Sequence, residues 1–316
     1  MKNGIVIKST GSWYTVKGEN NEVINCKIKG NFRIKGIKST NPVAVGDHIK
    51  YKLVETTNNS NTRQTGLITA ILDRKNYIVR RSQNLSKLSH IIAANIDQAF
   101  LVVTINYPVT TTTFIDRFLA SSVAYRIPVI LLFNKTDRYN NKELRDLEKL
   151  KAMYEHIGYQ CIKTSAVTKE GLTELKYAMK GKTNVFNGHS GVGKSTIINC
   201  IQPGLHLKTK EISDYHKTGK HTTVHTEMYE LDFGGYIIDT PGIKGYGMLN
   251  MEAWEISHYF PEIFKFSSLC QYNNCSHTHE PGCAVKEAVT RGEIEKSRII
   301  SYLGLLEGDK KHRPPQ

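Results

Sequence analysis

Long apolar runs are missing from this chain: no segment reaches the roughly 18 consecutive apolar residues of a membrane-crossing helix. The stretch Met1 to Ser12 holds no apolar signal core. A protein that enters no membrane and works in the cytoplasm is the expectation. Cysteine is scarce, six in 316 residues, and too unevenly placed for a disulfide framework. Cys26, Cys161 and Cys200 stand singly in apolar stretches, where a thiol serves as a small core residue. Acidic residues are in deficit, 29 against 43 Lys and Arg, which leaves a formal charge of +14. That excess fits a polyanionic partner such as nucleic acid; a merely soluble basic protein is the plain alternative. No internal repeat is present. With 39% hydrophobic residues the chain can bury a core, so wholesale disorder is excluded.

The charge is uneven, and so is the texture. Residues 1–72 hold 11 Lys and Arg against 4 Asp and Glu, whereas residues 248–316 hold 8 against 9. The first stretch reads as five or so short strands (GIVIKS, SWYTVKG, EVINCKIKG, PVAVGDHIKYKLVE, TGLITAIL) punctuated by Gly, Asn and Pro. That pattern predicts a small closed β-barrel, most simply an OB-fold, over 1–72. Trp13, Tyr14 and Phe32 either fill it or stack on bases, and Lys27 to Lys38 places cations at alternate positions. From residue 73 to 247 strands alternate with helices, which implies a parallel sheet in an α/β domain. Residues 248–316 are helix-rich and end in a polar tail, GDKKHRPPQ, expected to be disordered.

The central stretch carries a phosphate loop. Gly188, His189, Ser190, Gly191, Val192, Gly193, Lys194 and Ser195 match G-x-x-x-x-G-K-[ST] between a short apolar strand and a helix that runs on through Thr196. Glycines let backbone N–H groups turn inward around phosphates, and the helix N-terminus adds a favourable field. Lys194 would reach the terminal phosphates and Ser195 would ligate Mg²⁺. The pattern arises by chance in roughly one chain in a hundred of this length. Asp239-Thr-Pro-Gly242 follows another strand; its Asp suits a Mg²⁺ contact and the Gly242 N–H the terminal phosphate.

Base recognition has its own signature. Asn134-Lys135-Thr136-Asp137 ends the strand PVILLFN, and an Asp there accepts two hydrogen bonds from guanine N1–H and N2–H₂, which adenine does not offer. Ser165 and Ala166, also after a strand, would present N–H groups to guanine O6. These residues resemble those of translation-factor-related GTPases, but base recognition precedes the phosphate loop instead of following it. The chain reads as a circularly permuted GTPase, and a site is made by geometry and not by chain order.

Two switch positions follow. In the polar stretch Lys217 to Thr226, Thr223 is the candidate Mg²⁺-ligating Thr of the GTP state. Ile243 stands where many GTPases hold a water-orienting Gln, so basal hydrolysis should be slow and another group must help. His221 is one candidate, a solvated loop histidine the alternative. Ile243 equally suits a non-catalytic, GTP-dependent RNA-binding adaptor.

Cys270, Cys275, His277 and Cys283 supply three thiolates and an imidazole within fourteen residues, a closed set of the kind that holds one structural Zn²⁺. His279 competes with His277 for the fourth position.

The whole chain resembles the ribosome small subunit-dependent GTPase A family: an N-terminal barrel, a permuted GTPase with GHSGVGKS, GKHTT and DTPG, and C-x₄-C-x-H-x₅-C enclosing Glu280-Pro281-Gly282. The resemblance implies an OB-fold that binds ribosomal RNA and a role in late maturation of the small ribosomal subunit. It implies GTP hydrolysis to GDP stimulated by that subunit, and a zinc domain that contacts the ribosome. It further implies catalytic assistance by His221 and the switch role for Thr223. A monomer that binds no DNA is expected. A large-subunit assembly GTPase is the alternative that the barrel and metal module argue against.

Overall fold

Alternating apolar and polar residues produce the five expected strands: β1 (Lys2–Ser9), β2 (Tyr14–Gly18), β3 (Val23–Ile28), β4 (His48–Asn58) and β5 (Asn61–Ile71). They run in the order β1-β2-β3-β5-β4, and β4 returns to β1 to close a barrel. Among the described barrel pairings, that of β3 with β5 is the parallel one. This is the OB topology. The computed structural model describes residues 1–28, 42–58, 61–81, 89–205, 226–239 and 251–311.

A hairpin follows where only alternating strands and helices were expected, β6 (Tyr77–Arg81) and β7 (Ser89–Ala94). Strands then alternate with helices: β8 (Gln98–Val103), α1 (Thr112–Ala124), β9 (Val129–Asn134), α2 (Asn141–Ile157), β10 (Gln160–Thr164), α3 (Leu172–Met179), β11 (Thr183–Asn187), α4 (Lys194–Ile201), β12 (Glu227–Glu230) and β13 (Tyr236–Asp239). Three helices close the chain, α5 (Pro261–Ser267), α6 (Ala284–Thr290) and α7 (Lys296–Lys311). Helix α7 includes Gly308 to Lys311, which corrects the expected disordered tail at those positions. The buried Leu305 and Leu306 just upstream anchor its last turns.

Contacts divide the chain into two units. The first comprises Met1–Ala99, Leu175–Asn187 and Ile198–Gly247, and the second Phe100–Glu174, Gly188–Ile197 and Met248–Gln316. In the first, Val6, Tyr14, Val16, Cys26, Ile49, Tyr51 and Ile68 fill the barrel. Two strand glycines let this core close: a Cβ on Gly66 would run into the Cys26 sulfur, and one on Gly4 would lie 2.5 Å from Val16 and 3.2 Å from the Tyr51 ring. Tyr14 is therefore a core residue, with its hydroxyl donating to the Gly11 carbonyl, and not a base-stacking platform. Trp13 beside it is exposed. Phe32 and Lys29 to Lys38 lie outside the described residues.

Asp47 and Arg74 form a buried, two-pronged ion pair: Arg74 Nε and Nη2 donate to the two carboxylate oxygens at 2.6 Å each. The Ala44 N–H also donates to Asp47, and Arg74 reaches the Pro42 carbonyl. Such a pair adds little over an apolar substitute, but removing one partner strands a buried charge. Arg74→Met is thus expected to cost about 3–5 kcal/mol, read as a lowered urea midpoint. The same unit holds β11 parallel to β13 and β12 antiparallel to β13, and β12 pairs with β1 at Lys8 and Glu227.

In the second unit the strands run β10-β9-β8, and β8 and β9 are buried along their whole length, as their continuous apolar sequences require. Helix α2 begins with a capping box, Asn140 and Glu143 satisfying each other's end groups, and stops at Gly158 with φ 107°. The C-terminal helices pack Phe260, Ile263, Val285, Ile294, Tyr302 and Leu305 into one core with Ala120 of α1. Arg298 of α7, 1% exposed, donates to Asp116 of α1 at 2.6 Å and to Glu262 of α5 at 2.5 Å. The Tyr154 hydroxyl of α2 donates to the same Asp116 oxygen.

Candidate functional site

The guanine and phosphate motifs, 50 residues apart in sequence, meet in the second unit. The chain leaves β11 into Gly188, Gly191 and Gly193, whose φ values of 141°, 82° and 100° are those a side chain resists. A Cβ on Gly188 would lie 2.6 Å from the Val102 carbonyl, and one on Gly193 would strike the Asn134 amide. The loop is thus a backbone cradle packed too closely for side chains at those two points. Lys194, first residue of α4, donates to the carbonyls of Gly188 and His189, both at 2.7 Å. Burial holds its pKa below the usual lysine value. Burial, then the Lys194 charge, also lower the His189 pKa, and the His189 ring packs 3.8 Å from that of Phe114.

Asn134 links the loops around it. Its amide donates to the Val192 carbonyl at 2.8 Å and accepts from the Thr164 hydroxyl at 3.2 Å, so it ties three loops together. Lys135, in the left-handed region at φ 66°, donates to the carbonyls of Gly191 at 2.6 Å and Tyr107 at 2.5 Å. Burial and the nearby Arg138 lower its pKa. The Ser165 hydroxyl donates to Asp137 Oδ1 at 2.5 Å and accepts from the N–H groups of Val167 and Thr168. One Asp137 oxygen is thereby anchored, which fixes the carboxylate plane. Thr136 donates to Glu170 at 2.6 Å, and Ser165 N–H to the Glu170 carbonyl, which pins the two base-recognition loops to each other. The Tyr139 hydroxyl donates to the Asn134 carbonyl at 2.6 Å. Glu170, Thr136 and Tyr139 were not legible as site residues, because no spacing rule marks them.

Asp239 ends β13 in the first unit, paired in register with Glu227 of β12. Burial, then the Glu227 charge, raise its pKa. His221, Thr223, Gly242 and Ile243 lie outside the described residues.

The cysteine cluster fits a tetrahedral metal. The ligand atoms of Cys270, Cys275, His277 and Cys283 all lie within 4.8 Å of one another. Zn–S near 2.3 Å and Zn–N near 2.0–2.1 Å imply sulfurs about 3.8 Å apart and S···N of about 3.6 Å. The Cys270 and Cys283 sulfurs are 4.0 Å apart, and they stand 3.6 and 3.5 Å from His277 Nδ1. His277 Nε2 lies 3.0 Å from the Ser267 hydroxyl, which itself donates to the Ile263 carbonyl. That order of donors puts the proton on Nε2 and leaves Nδ1 for the metal. His277, not His279, belongs to the set; His279 is exposed, with Nδ1 2.9 Å from the Thr278 hydroxyl. Burial pushes the Cys275 thiol up to about 12, and the Cys283 and Cys270 sulfurs add to the rise. Three packed thiols and a neutral imidazole are the donor set a structural Zn²⁺ satisfies. Glu280 braces the knuckle by accepting from Ser276 and from the N–H groups of Thr278 and His279. Burial raises its pKa, but those hydrogen bonds outweigh it and hold the carboxyl well below the usual range.

Two family models match stretches of the chain. The RsgA GTPase family matches residues 71–249 and the RsgA N-terminal domain residues 3–60. A protein of Bacteroides thetaiotaomicron named small ribosomal subunit biogenesis GTPase RsgA 2 is 60% identical over 304 residues, 96% of each chain. A relative named small ribosomal subunit biogenesis GTPase RsgA, from Flavobacterium johnsoniae, is 56% identical over 98% of this chain and 94% of its own. Among solved structures, YjeQ from Thermotoga maritima superposes with TM-score 0.78 at 35% identity, covering 99% of both chains. YloQ, described as a circularly permuted GTPase, gives 0.76 at 30% identity over 99% of this chain and 96% of that one. The chain belongs to the RsgA family of GTPases, as a GTP-hydrolysing enzyme with a permuted order of motifs.

Proposed function

We propose that the chain binds the small ribosomal subunit through its rRNA and assists late maturation of that subunit, hydrolysing GTP to GDP and phosphate faster when the subunit is bound. The observation that carries this reading is the likeness over 96% of both chains to a relative named for small-subunit biogenesis. In this reading residues 1–72 are an RNA-binding barrel, 73–247 the permuted GTPase and 248–316 the zinc module. The chain acts in the cytoplasm as a monomer, without DNA or membrane. Among the described residues no helix is long and apolar enough to cross a membrane.

The residues divide the chemistry. Asp137 selects guanine through its second oxygen, while Ser165 anchors the first. The Ala166 N–H faces guanine O6. Asn134 and Lys135 act by holding the loop carbonyls of Val192 and Gly191, so that base recognition and phosphate cradle keep one spacing. Phosphate oxygens take the inward N–H groups of the 188–196 loop and the Lys194 ammonium, which exchanges its two carbonyl partners for a stronger charged one. Ser195 and Thr223 would hold Mg²⁺, which would neutralise phosphate charge, and Asp239 is the candidate for a further Mg²⁺ contact. Gly242 N–H meets the terminal phosphate and His221 positions the attacking water, the task that Ile243 cannot perform.

Sedimentation tests the partner. With a non-hydrolysable GTP analogue the chain is expected to pellet with purified small ribosomal subunits, and to do so less with GDP. Pelleting with large subunits only, or with neither, contradicts the reading.

A further inference from the structure

The register of the barrel strands carries one step more. Tyr14 pairs with Cys26, and both side chains are buried, so their neighbours Trp13 and Lys27 turn outward side by side. Lys27 pairs with Leu67 of β5, and Leu67 pairs with Lys52 of β4. Trp13, Lys27, Leu67 and Lys52 therefore form one row across the outer face, spanning three strand spacings or about 14 Å. Lys50 stands two residues from Lys52 on the same face, because Ile49 and Tyr51 point inward.

Ion pairing sorts the barrel's lysines into two classes. Lys2 pairs with Glu22, Lys8 with Glu227 and Lys17 with Glu230. Their charge is already met within the protein. Lys27, Lys50 and Lys52 are exposed and have no ion pair among the described residues. The Lys27 ammonium instead lies over the Trp13 ring, 4.3 Å from its centroid. Trp13 is 40% exposed, whereas its neighbour Tyr14 is 2% exposed. A large aromatic left at the surface with one unpaired cation beside it and two more further along the same face is the combination that grips single-stranded nucleic acid: cations meet the backbone and the ring receives an unstacked base. A duplex keeps its bases stacked on each other and offers nothing to Trp13.

We propose that the row Trp13–Lys27–Leu67–Lys52, together with Lys50, is the surface on which the barrel holds a single-stranded segment of RNA, with one base stacked on Trp13. This deepens the rRNA reading above and rests on it. The lysines that count are then those of β3 and β4, and the acid-paired lysines of β1 and β2 contribute nothing.

Fluorescence anisotropy of the full chain on a labelled single-stranded RNA of mixed sequence, across a salt series, decides this, with a hairpin duplex of equal length in parallel. The triple variant K27A/K50A/K52A is expected to reduce the slope of log K against log salt by about 2, at roughly 0.7 per lost phosphate contact. K8A and K17A are expected to leave the slope unchanged. Trp13→Ala should weaken single-strand binding about five- to hundredfold, and Trp13→Phe should recover most of the loss. Circular dichroism and thermal midpoints of each variant separate lost contacts from lost folding. An unchanged slope in the triple variant, or an equal loss in K8A and K17A, would falsify the surface. Duplex bound as tightly as single strand, with Trp13→Ala neutral, overturns the stacking. If the wild-type chain binds neither RNA, the rRNA reading of the barrel itself fails.

Discussion

Asp137→Asn is expected to lower GTP affinity by about 10²–10⁴-fold and to raise affinity for xanthosine triphosphate. Hydrogen bonds to a charged group contribute about 1.5–3 kcal/mol each, and guanine offers this carboxylate two donors. Ser165 decides how the variant fails. Its hydroxyl holds Asp137 Oδ1 at 2.5 Å, so an Asn there would keep its oxygen on Ser165 and turn its amide nitrogen to the base. That nitrogen is a donor facing guanine's own donors, so both bonds are lost and a clash of like polarity replaces them. Xanthine carries a carbonyl where guanine carries its amino group, and the new donor would meet it. Competition binding with GTP, xanthosine triphosphate and ATP measures the effect. GTP affinity within twofold of wild type, or a gain for ATP instead, contradicts the assignment of Asp137.

The second large effect concerns the metal. Cys283→Ser is expected to lower zinc affinity by well over the 10–100-fold typical of losing a mere outer partner. Cys283 is buried at the start of α6 and lies 3.5 Å from His277 Nδ1, so the lesion removes a buried ligand from the set. The consequence should spread, because Tyr302 of α7 donates to the Ser276 carbonyl inside the knuckle and packs against the His277 ring. Chelation of the wild-type chain should reproduce the lowered thermal midpoint. Ser267→Ala, which removes only the bond to His277 Nε2, should cost zinc affinity about 10–100-fold with little change in fold. Metal analysis by mass spectrometry gives the stoichiometry. One zinc per chain retained by Cys283→Ser with an unchanged midpoint would sink the tetrahedral assignment.

What could be read in the sequence was local chemistry at fixed spacing. The phosphate loop, Asn134 to Asp137, the alternating barrel strands and the four metal ligands each lie within a few residues, and their geometry follows from a strand, a turn and a helix start. The choice between His277 and His279 was not local. It depends on Ser267, ten residues upstream, claiming the outer nitrogen of one histidine only. Tyr14 and Trp13 looked alike as aromatics, and only the inward pairing of Tyr14 with Cys26 separates core from surface. Arg298 gave no signal at all, since its partners Asp116 and Glu262 lie 182 and 36 residues away. Asn134 is legible through its motif, but its bond to the Val192 carbonyl, 58 residues along the chain, is not.

The central claim is a GTPase whose chemistry is completed by the small ribosomal subunit. GTP turnover of the full chain, measured alone and with saturating purified small subunits, tests it most directly, with large subunits and Lys194→Ala as controls. Turnover is expected to be slow alone and to rise at least about tenfold with small subunits, equivalent to ~1.4 kcal/mol off the barrier. The rise should be absent with large subunits and in the Lys194→Ala variant. Turnover that stays at the basal rate with small subunits, or rises as much with large ones, contradicts the account.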